Sequence, residues 1–159
     1  MKRLALFLAF SWLPAMASAQ EVDAERVRDA AARALVTSGG RVLAVYGAGG
    51  DRDREKRPLM GQSVARGADL AFLTSDNPRS EDPSAIAADI LAGVPADAAP
   101  VVELDRRAAI RAALETAQAG DVVVIAGKGH ESGQTANGVT RPFDDRVVAR
   151  EELEELACR

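Results

Sequence analysis

Three polar loops hold the residue types from which a binding site could be made. The first opens with Gly47-Ala48-Gly49-Gly50 and continues through Asp51, Arg52, Asp53, Arg54, Glu55, Lys56 and Arg57. Glycines directly after a strand let backbone N–H groups approach an anion, and the cations that follow add positive charge. The spacing fits neither a dinucleotide fingerprint nor a phosphate loop, since no Gly-Lys-Ser/Thr run occurs in the chain. The second loop contains Asp76-Asn77-Pro78-Arg79, where Asp and Asn cap turns and the arginine fork can hold a carboxylate through two hydrogen bonds. The third is Gly127-Lys128-Gly129-His130-Glu131, a glycine-hinged segment carrying a base and an acid. No Ser or Cys nucleophile pairs with that histidine at a readable spacing. Taken singly, a solvated charged turn and a capped structural turn account for the first two loops as well as binding does.

Each loop follows a short apolar run. Arg41–Tyr46, Asp69–Thr74 and Asp121–Ala126 read as buried strands, and Val101–Leu104 as a fourth. Between them, 58–67, 84–91 and 106–118 read as helices, the first opened by Pro58 and the last capped by Asp105. Asn137-Gly138 marks a hairpin tip, and 146–156 reads as a terminal helix capped by Asp144 or Asp145. Continuous apolar strands alternating with helices predict an α/β fold: one mostly parallel sheet with helices on both faces. Ligands of such sheets sit beyond the carboxyl ends of the strands, where all three loops emerge. The loops are therefore expected to converge.

Composition narrows the chemistry. A chain of 159 residues holds one domain of ordinary size, and its net charge of -4 with no basic cluster argues against nucleic acid as a partner. One Cys and one His exclude a zinc site of the usual kind, and Cys158 has no second cysteine with which to form an internal bridge. Residues 1–19 show the three-part pattern of a signal peptide. Lys2 and Arg3 precede an apolar run from Leu4 to Leu13, and Ala17-Ser18-Ala19 follows Pro14, so cleavage is expected before Gln20. That places the chain in the periplasm or outside the cell, with no membrane association once the leader is gone. Residues 20–40 follow as an N-terminal helix, and 41–159 form the domain proper.

In order, Gly49-Gly50-Asp51-Arg52-Asp53-Arg54-Glu55-Lys56-Arg57-Pro58-Leu59-Met60-Gly61, Thr74-Ser75-Asp76-Asn77-Pro78-Arg79-Ser80-Glu81-Asp82-Pro83, Ala126-Gly127-Lys128-Gly129-His130-Glu131 and Arg141-Pro142-Phe143-Asp144-Asp145-Arg146 resemble the C-terminal domain of the Mur ligases. Within that family the likeness is to the members that add meso-diaminopimelate. The resemblance implies a Rossmann-like α/β unit that presents an amino acid for ATP-dependent amide formation in peptidoglycan precursor synthesis, through an acyl phosphate. It implies that Arg52, Asp76, Asn77, Pro78, Arg79, Gly127 and Glu131 contact the amino acid, and that Asp51 and Lys56 face the nucleotide. The ligand's chemistry agrees, because a doubly zwitterionic amino acid needs cations for its carboxylates and an acid for an ammonium.

The family pattern is also broken in places. Ala48 stands where a Cys is common and Glu55 where a Gly is common, and 21–28 does not carry the Asp-Tyr-Ala-His motif of the family. The phosphate loop and metal-binding acids of the family's central domain do not occur in this chain. No catalytic residue and no metal site are therefore assigned. ATP and Mg2+ are expected only if a separate protein supplies the ligase central and N-terminal domains. The alternative expectation is an exported, non-catalytic binding module for diaminopimelate or murein peptides. A cytoplasmic location, as for the family, is the alternative to export.

Overall fold

A computed structural model of the chain describes residues 5–8, 39–129 and 131–158. The expected leader and N-terminal helix fall outside these apart from residues 5–8 and 39–40, as does His130. The elements are β1 (Ala5–Leu8), β2 (Val42–Tyr46), α1 (Lys56–Gly67), β3 (Leu70–Leu73), α2 (Pro83–Leu91), β4 (Val101–Val102), α3 (Arg106–Thr116), β5 (Val122–Ile125), β6 (Gly133–Ala136), β7 (Val139–Pro142) and α4 (Asp145–Ala157).

Five strands form one sheet in the order β1-β5-β2-β3-β4, all parallel. The chain steps outward from β2 through β3 to β4, then returns to β5. Right-handed crossovers put the helices of the outward steps on one face and the helix of the return on the other. The packing shows this. Leu43, Val45, Phe72, Val123 and Ile125 meet Ala109, Ile110 and Ala113 of α3 and Val148 and Ala149 of α4. On the opposite face, Tyr46 and Leu73 pack on Ile86, Ala87 and Ile90 of α2. Neighbours along a strand alternate between the two cores, as a pleated sheet requires.

The local signals act as expected. Asp105 and Asp144 cap α3 and α4 by accepting from the backbone N–H of Ala108 and Arg146, and Asp82, which the sequence reading did not single out, caps α2 by accepting from Ser84 N–H. Asn137 and Gly138, both at positive φ, turn the antiparallel β6–β7 hairpin. Two differences from the sequence reading stand out. The expected strand 101–104 shrinks to two residues, both exposed, because it lies at the sheet edge with a neighbour on one side only. A strand ahead of residue 41 was not expected, yet Ala5–Leu8 pairs with Val122–Ile125 at the other edge.

Candidate binding site

The loops after β2, β3 and β5 meet at the carboxyl end of the sheet, tied by hydrogen bonds. The first two join closely. Gly50 N–H donates to the Asn77 carbonyl at 2.8 Å, and a Cβ on Gly50 would lie 1.9 Å from the Pro78 carbonyl oxygen. Only glycine allows that approach. Asp51, exposed and at φ 53°, accepts from the Ser80 hydroxyl at 2.6 Å, while its own N–H donates to Glu81 at 2.6 Å. Glu81 also receives the Arg57 guanidinium at 2.7 and 3.0 Å. Those hydrogen bonds, chiefly from Arg57, hold the Glu81 carboxyl down at about 2.

Arg52 and Arg79 flank the same glycine. A Cβ on Gly49 would lie 3.0 Å from Nη1 of Arg79 and 3.7 Å from Cγ of Arg52. Arg79 adopts φ 54°, unusual for a residue with a side chain. The hairpin holds it there: Arg79 N–H donates to Thr135 O at 2.9 Å, and Asn137 N–H donates to Arg79 O at 2.6 Å. Its Nη1 donates to Gly50 O at 2.5 Å, so this guanidinium is anchored. Arg52 is exposed and has no hydrogen bond or ion pair among the described residues. Lys56, which the family likeness turned toward a nucleotide, pairs with Asp53 at 3.3 Å.

The third loop closes on the second. Asn77 Nδ2 donates to Glu131 at 2.5 Å, and Asn77 Oδ1 accepts from Thr135 N–H at 2.9 Å. Gly127, at φ 115°, places its Cα edge against Asp76: a Cβ there would meet Asp76 Oδ2 at 3.4 Å. Asp76 is buried, and that burial raises its carboxyl above the ordinary value, partly opposed by the charges of Arg106 and Lys128. Beneath the loops, the buried Arg106 donates to the Ser75 and Ala126 carbonyls at 3.3 and 3.0 Å while pairing with Asp145. A cavity of about 560 Å³ opens here, lined among others by Tyr46, Arg52, Lys56, Asp76 and Gly127.

All seven residues expected at an amino acid thus occupy one edge of the sheet. Arg52, Asp76 and Gly127 line the cavity, Arg79 borders it, and Asn77 links Asp76 to Glu131. Pro78 is buried and serves the site through its carbonyl, which seats Gly50. Sequence reasoning gave no role to Lys128, Glu81 or the hairpin residues Gln134 and Thr135, and it counted Arg57 among the cations available to an anion, whereas Arg57 is buried and paired with Glu81 and Asp89. Lys128 and Glu81 stand inside the loops singled out by sequence; the burial of Lys128 and the pairing of Glu81 with Arg57 depend on loop packing, which spacing does not reveal. Among the described residues no cluster of three or more His, Cys, Asp or Glu could hold a metal ion.

The family described as "Mur ligase, glutamate ligase domain" matches residues 21–129. A Gloeobacter violaceus protein named UDP-N-acetylmuramoyl-L-alanyl-D-glutamate--2,6-diaminopimelate ligase is 56% identical over 120 residues, 76% of this chain and 24% of that protein. A solved structure of a ligase of the same name matches with TM-score 0.73 and 47% identity, over 82% of this chain and 28% of its own. A solved domain from Haemophilus ducreyi shares the fold at TM-score 0.56 and 14% identity, over 96% of this chain and 91% of its own. The chain spans about a quarter of the length of the curated relatives it matches.

Proposed function

The chain belongs to the Mur ligase family, through that family's C-terminal domain, and from this premise we propose that it binds meso-diaminopimelate, or a closely related diamino dicarboxylic acid, at the edge where its three loops meet. Arg52 and Arg79 take the two carboxylates as charge-assisted hydrogen bonds, and Asp76 and Glu131 face an ammonium. Asn77 and Gly127 set the shape between them. The observation that carries this reading is the approach of the Arg79 guanidinium and the Arg52 side-chain stem to the same glycine, Gly49, with Asn77 joining the two acids through its amide.

The domain would present the amino acid to an activated acyl group made elsewhere. Neither a phosphate loop in the sequence nor a metal-binding cluster among the described residues fits ATP and Mg2+. On this reading phosphoryl transfer belongs to the ligase central domain, which lies outside the segment that matches the family. The Met1–Gln20 pattern favours a second reading, an exported binding module that keeps the pocket without the chemistry. Cleavage before Gln20 would also remove β1. A mature N-terminus at Gln20 decides for export, and one at Met1 decides against it.

Calorimetry on the full chain tests the ligand. Lysine lacks the distal carboxylate and leaves one arginine unpaired, which costs about 1.5–3 kcal/mol. The expected preference for meso-diaminopimelate over lysine is about ten- to hundredfold, and it disappears in Arg79→Ala. Equal binding of the two amino acids by the unaltered protein refutes the reading.

A further inference from the structure

Lys128 carries a charge in the interior of this site. Its side chain is fully enclosed, and Nζ donates to Gly133 O at 2.5 Å and to Asn77 Oδ1 at 3.3 Å. Its remaining side faces two acids, Asp76 Oδ1 at 3.6 Å and Glu131 Oε2 at 3.8 Å. Lysine ordinarily keeps its ammonium in water along an extended stem, so a buried one must be paired to persist. We propose that Lys128 is the positioning residue of the site: its ammonium fixes the Asn77 amide, through it the Glu131 carboxylate, and it cancels one acid charge so that a single ligand ammonium is matched. The ligand assignment within this proposal rests on the proposed function.

The amide step follows from donor and acceptor types. Asn77 Oδ1 receives two donors, Lys128 Nζ and Thr135 N–H. A flipped amide would turn its own NH2 against both, so the orientation is set. Asn77 Nδ2 then points at Glu131 Oε2 and, at 3.3 Å, at Asp76 Oδ1. One lysine thereby orders both carboxylates.

The charge step follows by counting. Asp76 and Glu131 bring two negative charges and Lys128 one positive. Arg106 of α3 and Asp145 of α4 also face Asp76, but they are paired at 2.7 Å and cancel. One negative charge is left, in a site to which Arg52 and Arg79 bring two positive ones. The complement is a molecule with two carboxylates, one ammonium and a second amine without a proton charge. That is the form in which an amine can act as a nucleophile.

The test is Lys128→Met in the full chain, read by carbon-13 titration of the Asp76 carboxyl and by calorimetry with meso-diaminopimelate. The Asp76 midpoint is expected to move upward, and affinity at pH 7 to fall at least tenfold. Binding to the variant should also release a proton, seen as a heat that depends on the ionisation enthalpy of the buffer. An unmoved Asp76 midpoint overturns the proposal whether or not the ligand binds. Unaltered protein that gives no heat with meso-diaminopimelate overturns the ligand assignment, and the Asp76 midpoint then decides alone on Lys128. Should the variant not fold, the Lys128 ammonium signal of the unaltered protein decides: protection from water exchange supports the proposal, and exchange as fast as a surface lysine refutes it.

Discussion

Replacing Arg106 with Met should reveal how far the site depends on what lies beneath it. Arg106 is buried and holds Asp145 through two hydrogen bonds, at 2.8 and 2.7 Å, with both side chains almost wholly withdrawn from solvent. Asp145 opens α4, where the helix N-terminus favours an anion, yet that alone does not replace two charged hydrogen bonds. Removing one partner of a buried pair strands the other charge, at a cost of about 3–5 kcal/mol. For a domain of this size the loss corresponds to a melting-temperature drop of roughly 6–20 °C. Urea and thermal unfolding followed by circular dichroism would measure it.

The double replacement Arg106→Met with Asp145→Leu should recover most of the loss, because the stranded charge is then gone. The two outcomes together test the cause. A single-variant loss below about 1 kcal/mol, or a double variant as unstable as the sum of the singles, refutes the buried-pair account. Arg106 also donates to Ser75 O and Ala126 O, the carbonyls that start two of the site loops. Ligand affinity in the single variant should therefore fall even well below its melting temperature.

Three further outcomes are expected. Hydrogen bonds from Arg57, Arg41 and Arg146 hold Glu81, Asp121 and Asp144 at about 2, below the unfolded values near 4, so folding stability should fall as pH drops from about 5 toward 2. Asp121→Asn should flatten that acid limb in urea titrations, and an unchanged slope would count against it. Gly50→Ala must push the first loop off the Pro78 carbonyl, and should weaken ligand binding without disturbing the sheet cores, as amide exchange would show. Arg79→Ala should lose more affinity than Arg52→Ala, because Arg52 must be ordered on binding at a cost of about 0.5–1.5 kcal/mol, whereas Gly50 already holds Arg79.

Where the sequence was informative, a short-range physical rule was at work. Asp105 and Asp144 cap helices through atoms two or three residues away, and Asn137-Gly138 turns a hairpin within four residues. Apolar runs marked β2, β3 and β5 because strands buried on both faces must be apolar throughout. The convergence of the loops followed from sheet topology. Contacts between loops were a different matter. Lys128 lies 51 positions from Asn77 and Arg57 lies 24 from Glu81, so no local pattern announces either contact. The run Leu4–Leu13 shows the same limit. A leader core and a parallel edge strand both draw on uninterrupted apolar residues, so composition does not announce that Ala5–Leu8 pairs with β5.

The hydrogen bonds divide the site into two unlike parts. Asp76, Asn77, Arg79 and Glu131 are linked to Lys128, Gly50 and the hairpin through hydrogen bonds within the protein itself. This part is preorganised, so on the proposed reading it grips one zwitterionic end with little ordering cost. Arg52 belongs to the open part, exposed beside a glycine-rich turn. A guanidinium free to adjust suits the end of the amino acid whose amine must reach a reacting carbonyl. Rigid recognition of the distal end and adjustable capture of the reacting end are compatible demands only because they fall on different loops. The Gly50 to Pro78 contact brings those loops together without making the two arginines move as one.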